Sequence, residues 1–388
     1  MVNPFSPQHP AQPEYFAGRK EERDYFRVTA LNSAKLNTPA PMNYAILGTW
    51  GLGKTSLLYE LQQIALKEVR SEAKCACIRY SLSPQSCRNW QTFSTNFLKT
   101  VNSNLNVDSS LESRLKAEIA KWQPTINLGP ITAQRVSQSQ TQTTDMSGPL
   151  SDLWKKHLEK KVDIVFVMLD DFQYFPLASE DSAYLSLRSL FQELVNQKCN
   201  YSLVVTAHSE LFTKLADIAE PVLRFFKRFE LKPFTYEDAR EAIDKRLDAV
   251  GSELDVDDGV IRSIVDLTAG HPYILMFTMF ELLMKQKGAK RIDNDSFQEA
   301  WSSIERDIGE TIFSEKFSGA SEKERELLLK IAVNGAKEFA PTDFRSVRGV
   351  NELCSRLADK ELLLKLGRGK YTLFHPLFGG YLNRKARE

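Results

Sequence analysis

The sequence predicts an α/β protein built on a five-stranded parallel sheet and followed by two smaller, mainly helical modules. Short apolar runs at 44–47, 75–81, 162–169, 201–206 and, more weakly, 229–231 alternate with segments of helical periodicity. That alternation is the mark of parallel strands joined by crossover helices. After Pro233 the pattern turns helical, and 388 residues exceed one ordinary domain and suit two or three.

The chain opens with a dozen residues rich in Pro and Gln, read as an extended arm without a basic-then-apolar leader. A helix is expected from Lys20 to about Leu36, then a polar loop over 37–41 and the first strand. Between the second and third strands lies a long insertion, 82–161. It holds two helical stretches and then 123–148, rich in Gln, Thr and Ser; the start of that stretch alternates enough for a small hairpin, while 137–146 has the composition of disorder. Thr235 with Asp238 forms a capping box that opens a helix to about Val250, and three more helical segments end near Lys316. From Ser321 the pattern reads as three helices, the last from about Val350 to Leu364, then a turn at 367–369 and a short strand at 371–374. The expected domains are 1–234 (core, arm and insertion), 235–318 (helical) and 319–388 (C-terminal).

Composition excludes some functions. With 42% hydrophobic and 26% charged residues and a net charge of +1, the chain does not coat nucleic acid or membranes by charge alone. Five cysteines without metal-ligand spacing suggest a reducing cytoplasm. The longest apolar stretch, 273–284, is broken by Thr278 and Glu281 and is too short to span a bilayer, so no membrane partner is expected.

The strongest local signal is Gly48, Thr49, Trp50, Gly51, Leu52, Gly53, Lys54, Thr55 and Ser56, placed between the first strand and a helix. This is the phosphate-binding P-loop pattern in its required context. Its glycines let backbone N–H groups turn inward on phosphate oxygens, and the following helix adds its positive end. Lys54 reaches the β- and γ-phosphates, and the Thr55 hydroxyl can ligate Mg²⁺. The third strand ends in Asp170 and Asp171, at the sheet edge where the P-loop also sits. Asp170 would hold the metal, directly or through water; Asp171 would orient or deprotonate the attacking water. After the fourth strand, Thr206, His208 or Ser209 would face the γ-phosphate, His208 reading almost equally well as a chance loop histidine. Arg224 and Arg228 flank the entry to the expected fifth strand, and one of them could reach a neighbouring subunit's γ-phosphate. The guanine-reading Asn-Lys-x-Asp motif is missing, which favours ATP over GTP.

With these residues in place, the chain resembles AAA+ ATPases of the Orc1/Cdc6-like group and the related archaeal-type STAND P-loop ATPases over nearly its whole length. The segment 16–22, with Phe16, Gly18 and Arg19, looks like the box that contacts adenine. The Gly-His-Pro at 270–272, ending in Pro272, is similar to the lid's GxP motif, and 371–378 looks like the wing of a winged helix. The resemblance implies a P-loop NTPase core, a helical lid and a C-terminal winged-helix domain, with ATP and magnesium as cofactors. Two departures stand out: Orc-type proteins carry Asp-Glu where this chain has Asp170 and Asp171, and their sensor Asn is absent. The Asp pair is closer to STAND proteins and implies slow hydrolysis. As a local reading, Gly-His-Pro is also a simple helix boundary.

From Ser321 onward Lys and Arg outnumber Asp and Glu by about five. Arg356 and Lys360 on the expected third helix, with Arg368 and Lys370 on the wing, are candidate contacts to duplex DNA. In STAND proteins the same module instead latches the core or meets a protein effector. Two functions stay open: an ATPase acting on DNA, or an oligomerising signalling switch.

Overall fold

The computed structural model describes residues 2–104, 146–175, 181–218, 220–335, 337–367 and 369–388. The hairpin expected near 124–132 lies outside the described residues. So does the segment expected to be disordered, except Met146, which is buried.

All five expected strands form: β1 (Asn43–Leu47), β2 (Cys75–Ser81), β3 (Ile164–Asp170), β4 (Tyr201–Ala207) and β5 (Phe226–Glu230). They lie in the order β2-β3-β4-β1-β5, and every pairing is parallel. The inner strands β1, β3 and β4 are buried at every position, which is why they read as unbroken apolar runs. The edge strand β5 begins at Phe226 rather than Phe229. Its exposed Lys227 and Arg228 split the apolar signal and hid the first half.

Two helices bracket β1: α1 (Lys20–Lys35) and α2 (Lys54–Gln63). Phe26 of α1 packs on Tyr44 and Phe166, with ring centroids 5.1 and 5.3 Å apart. The alternate residues Ala45, Val165, Val167, Leu203 and Val205 share a core with α3 (Trp90–Asn104), α4 (Ser147–Leu153), α5 (Asp181–Asn196) and α6 (Ser209–Ile218). Strand alternation thus gives the sheet two buried faces.

The chain groups into two bodies. A sheet body comprises Arg19–Gly48 and Lys54–Leu231; a helical body comprises Met1–Gly18, Thr49–Gly53 and Lys232–Glu388. The arm, expected with the core, belongs to the helical body: Phe5 is buried there, and the Asn3 amide donates to the Phe280 carbonyl at 3.0 Å. Segments 235–318 and 319–388, expected as separate domains, share one apolar core, with Phe313 packed against Phe374 and Phe378.

Within the helical body, α7 (Tyr236–Ala249) opens with the expected Thr235–Asp238 capping box. Then come α8 (Asp258–Leu267), α9 (Pro272–Lys285) and α10 (Asn294–Ile308), with a two-residue parallel pair, β6 (Asp255–Val256) and β7 (Arg291–Ile292), that the sequence did not announce. The long apolar stretch is α9, a central helix buried on most of its surface. Among the described residues no helix is long and apolar enough to cross a membrane.

The last segment holds α11 (Glu322–Asn334), a 3₁₀ turn at Pro341–Phe344 in place of the expected second helix, α12 (Val350–Asp359), the hairpin β8 (Leu363–Gly367) and β9 (Lys370–Leu373), and α13 (Pro376–Lys385). Helix α12 stops at Asp359, short of the expected Leu364, because Glu361 turns left-handed at φ 54° and Leu363 enters β8. All five cysteines are buried and free.

Candidate functional site

Register brings the chemistry of the sheet body together. Leu47 pairs with Ala207 and Leu169 with Val205, so β1, β3 and β4 end at one edge. The Gly48 N–H closes that edge by donating to the Ala207 carbonyl at 3.3 Å. Gly48 just after β1, the acids ending β3 and the turn after β4 therefore lie along one edge, where ligands bind in open parallel sheets.

The loop needs its glycines for backbone reasons. Gly51 and Gly53 sit at φ 76° and 90°, left-handed values that a side chain resists. Helix α2 starts at Lys54 and includes Thr55 and Ser56 in its first turn. The Lys54 side chain is buried, and its Nζ donates to the Gly48 carbonyl at 2.9 Å. The ammonium is thus folded back onto the residue that follows β1.

The Thr55 hydroxyl donates to Asp170 Oδ1 at 3.2 Å. Asp170 is only 3% exposed, and burial pushes its carboxyl above the usual range. The Thr206 and Thr55 hydroxyls oppose that rise by donating to the carboxylate, while the Asp171 charge adds to it. Thr206 is wholly buried. It donates to Asp170 and accepts the Asp171 N–H at 2.9 Å. That bond helps hold Asp171 at φ 59°, and the Asp171 carboxylate accepts the Gln173 amide at 2.8 Å. The sequence offered Thr206 as one of three residues that could face the γ-phosphate, and nothing local pairs it with a residue on another strand.

The other candidates are placed as follows. His208 is half-buried in the turn after β4, and Ser209 donates to Glu230 at 3.2 Å. Arg228 is exposed on the edge strand, opposite Ala45, and Arg224 is exposed just before that strand. Arg19 starts α1 at φ 58°.

In the helical body, Phe16 is buried and its carbonyl accepts Lys245 at 2.8 Å; the Gly18 N–H donates to Glu241 at 3.0 Å. Pro272 is the first residue of α9, capped by His271. His271 Nδ1 accepts the Ile274 N–H at 3.5 Å, so Nε2 carries the proton and donates to the Trp50 carbonyl at 3.0 Å. The Tyr273 N–H donates to the Gly51 carbonyl at 3.2 Å. The Trp50 N–H donates to Glu361 at 3.0 Å, and Lys316 lies 4.5 Å above the indole ring. Thr49 and Leu52 belong to this same grouped segment, Leu52 buried.

Of the candidate DNA contacts, Arg356 and Lys360 both pair with Glu324, at 3.1 and 2.7 Å; that carboxylate is 2% exposed. Lys370 lies 4.0 Å from Glu338, and Arg368 is outside the described residues.

The donor set fits a triphosphate with a hard cation. Among the described residues no cluster of three His, Cys, Asp or Glu could hold a metal unaided. The Asp170 carboxylate and the Thr55 hydroxyl supply two oxygens, the arrangement suited to Mg²⁺ that keeps water and phosphate ligands.

No family model and no curated protein matches the chain. Solved structures do match, across almost its full length. The Walker-type ATPase of Pyrococcus abyssi is 18% identical at a TM-score of 0.59, covering 98% of this chain and 99% of that one. The ORC2 protein of Aeropyrum pernix, solved as ADPNP–ADP complexes, is 13% identical at 0.60, with 100% and 98% covered. Cdc6p from Pyrobaculum aerophilum is 13% identical at 0.51, with 99% and 97% covered. The chain therefore has the α/β fold of the Orc1/Cdc6-like AAA+ ATPases.

Proposed function

We propose that the protein is an ATP-binding and ATP-hydrolysing molecular switch of the AAA+ type. The observation that carries this reading is the bond from the first turn of α2 to the end of β3, Thr55 to a buried Asp170 carboxylate, directly after a glycine loop. Lys54 would leave the Gly48 carbonyl for the phosphates. Thr55 and Asp170 would hold Mg²⁺, which when bound supplies positive charge to the phosphate oxygens. Asp171, less buried than Asp170 and fixed by Gln173, would orient or deprotonate the attacking water. The box at Phe16, Gly18 and Arg19, together with Pro272, would contact the adenine end, and His208 would sense the γ-phosphate.

Two substitutions test the site. Lys54→Ala should abolish hydrolysis and weaken ATP binding by roughly 100-fold, about 3 kcal/mol. Asp171→Asn should keep ATP binding and lose most turnover. Wild-type turnover in a folded Lys54→Ala protein would remove the site.

The output of the switch is proposed to pass through the C-terminal three-helix and hairpin module, read as a winged helix in a cytoplasmic, self-assembling ATPase. Duplex DNA is one partner, met by Arg356, Lys360, Arg368 and Lys370. The second reading, a STAND-type module that restrains the protein or meets a protein effector, is favoured by one observation: Arg356 and Lys360 are already paired with Glu324. Size-exclusion chromatography with ATP or ADP, with and without duplex DNA, separates them. Salt-sensitive co-elution with DNA supports the first, and ATP-dependent assembly without DNA the second.

A further inference from the structure

We propose that Glu361 is a built-in restraint on the P-loop, a carboxylate that holds the loop's Trp50 amide and opposes nucleotide binding. The inference rests on the nucleotide reading of that loop and adds a regulatory residue to it.

Glu361 occupies a position whose backbone asks for something else. Helix α12 ends with the Glu361 N–H on the Ala358 carbonyl at 2.8 Å and the Leu362 N–H on the Leu357 carbonyl at 2.9 Å. These are the two bonds of a Schellman cap, in which the left-handed residue is usually Gly. Here it is Glu, at φ 54°. A strained, charged residue at a cap that glycine would serve better points to a task for its side chain. The side chain accepts the Trp50 N–H at 3.0 Å in a part-buried setting.

The rest of the grip converges on the same two loop residues. His271 holds the Trp50 carbonyl, the Tyr273 N–H holds the Gly51 carbonyl, and Lys316 covers the indole. Gly51 cannot be crowded further, since a Cβ there would lie 2.4 Å from the His271 ring. A cavity of ≈ 410 Å³, lined by Trp50, Tyr273, Lys316, Lys360 and Leu362 among others, leaves the released loop room to shift.

The electrostatic sign is fixed. Glu361 places a carboxylate on a loop whose task is to receive a polyanion, and each charge repels the other. The bond is also charge-assisted and must be broken or strained when the loop closes on phosphate. Removing Glu361 should therefore favour the bound loop.

The test uses Glu361→Gly and Glu361→Gln in the full chain. Gly suits the cap, so its thermal midpoint should be unchanged or raised by about 2 °C. ATP should bind about tenfold tighter to Glu361→Gly, with Glu361→Gln between it and the wild type. Unchanged or weaker ATP affinity in both variants, with Lys54→Ala still weakening binding, would overturn the restraint and leave the nucleotide site standing. No ATP binding by the wild-type protein would overturn the site itself, and the restraint with it.

Discussion

Thr206 shows how one hydroxyl organises two acids. It has one proton and accepts through its lone pairs, and it spends the proton on Asp170 and a lone pair on the Asp171 N–H. The result keeps a buried carboxylate solvated by protein and fixes the backbone turn that aims Asp171. Thr206→Val keeps the shape and deletes the hydroxyl, so the buried Asp170 carboxylate loses one of its donors and the Asp171 N–H keeps only its 3.2 Å bond to Asp170. Stability should fall by about 1–3 kcal/mol in chemical denaturation. The Mg²⁺ concentration for half-maximal hydrolysis should rise, and Thr206→Ser should restore it. A purely structural role would lower stability without moving the Mg²⁺ requirement.

At the scale of elements, two helices of the helical body begin in the same way, with His-Pro. His271 caps α9 and His375 caps α13; each accepts a backbone N–H at Nδ1 and donates from Nε2 to a distant carbonyl, Trp50 and Thr268 respectively. The rings meet edge to face with centroids 5.7 Å apart. Both must stay neutral to make these bonds. Burial, with His375 beside it, pushes His271 down to about 3 from an ordinary 6.5, and burial lowers His375 as well. A base with a depressed folded pKa stabilises fully above its unfolded pKa and loses that contribution as pH falls toward the folded value. Between pH 7 and 5.5 carboxylates of ordinary pKa scarcely titrate, so stability should drop there, approaching about 1.4 kcal/mol per pH unit from His271, with His375 adding in the same direction. His271→Asn keeps a capping acceptor without a titrating ring and should flatten the slope of thermal midpoint against pH. An identical slope in both proteins would assign the acid sensitivity elsewhere. The elements also show what the sequence made legible. Buried strands announced themselves as apolar runs, and the glycine loop and Asp170 by short-range spacing. Helix α13 went unread because Gly379 and Gly380 lie inside it, and packing of Phe378, Tyr381 and Leu382 overrides their poor propensity. Thr206 and Glu361 act on partners far away in sequence, which no local pattern records.

At the scale of the whole molecule, the sheet order leaves β5 at an edge, and its exposed residues are Lys227, Arg228 and Glu230. Lys227 lies over the Tyr25 ring at 4.5 Å, so one cation of this edge already has an internal neighbour. Arg228 is exposed on the same strand, aligned with Ala45 in the strand that leads into the P-loop. An edge position suits a residue that serves a neighbouring copy. Hydrolysis spreads negative charge over the γ-phosphoryl oxygens, and an arginine supplied by a second subunit can raise the rate by about 10³-fold or more. Arg228→Ala should then leave ATP binding nearly intact while cutting turnover. Arg224→Ala, removing the exposed arginine just ahead of the strand, should have the smaller effect. Mixing Arg228→Ala with Asp171→Asn should restore part of the activity, because one class of mixed interface joins an intact acid to an intact arginine. The wild-type protein should gain specific activity as its concentration crosses the assembly range. Specific activity independent of concentration, with no rescue on mixing, would describe an ATPase that completes its site within one chain, and Arg228 would lose its role.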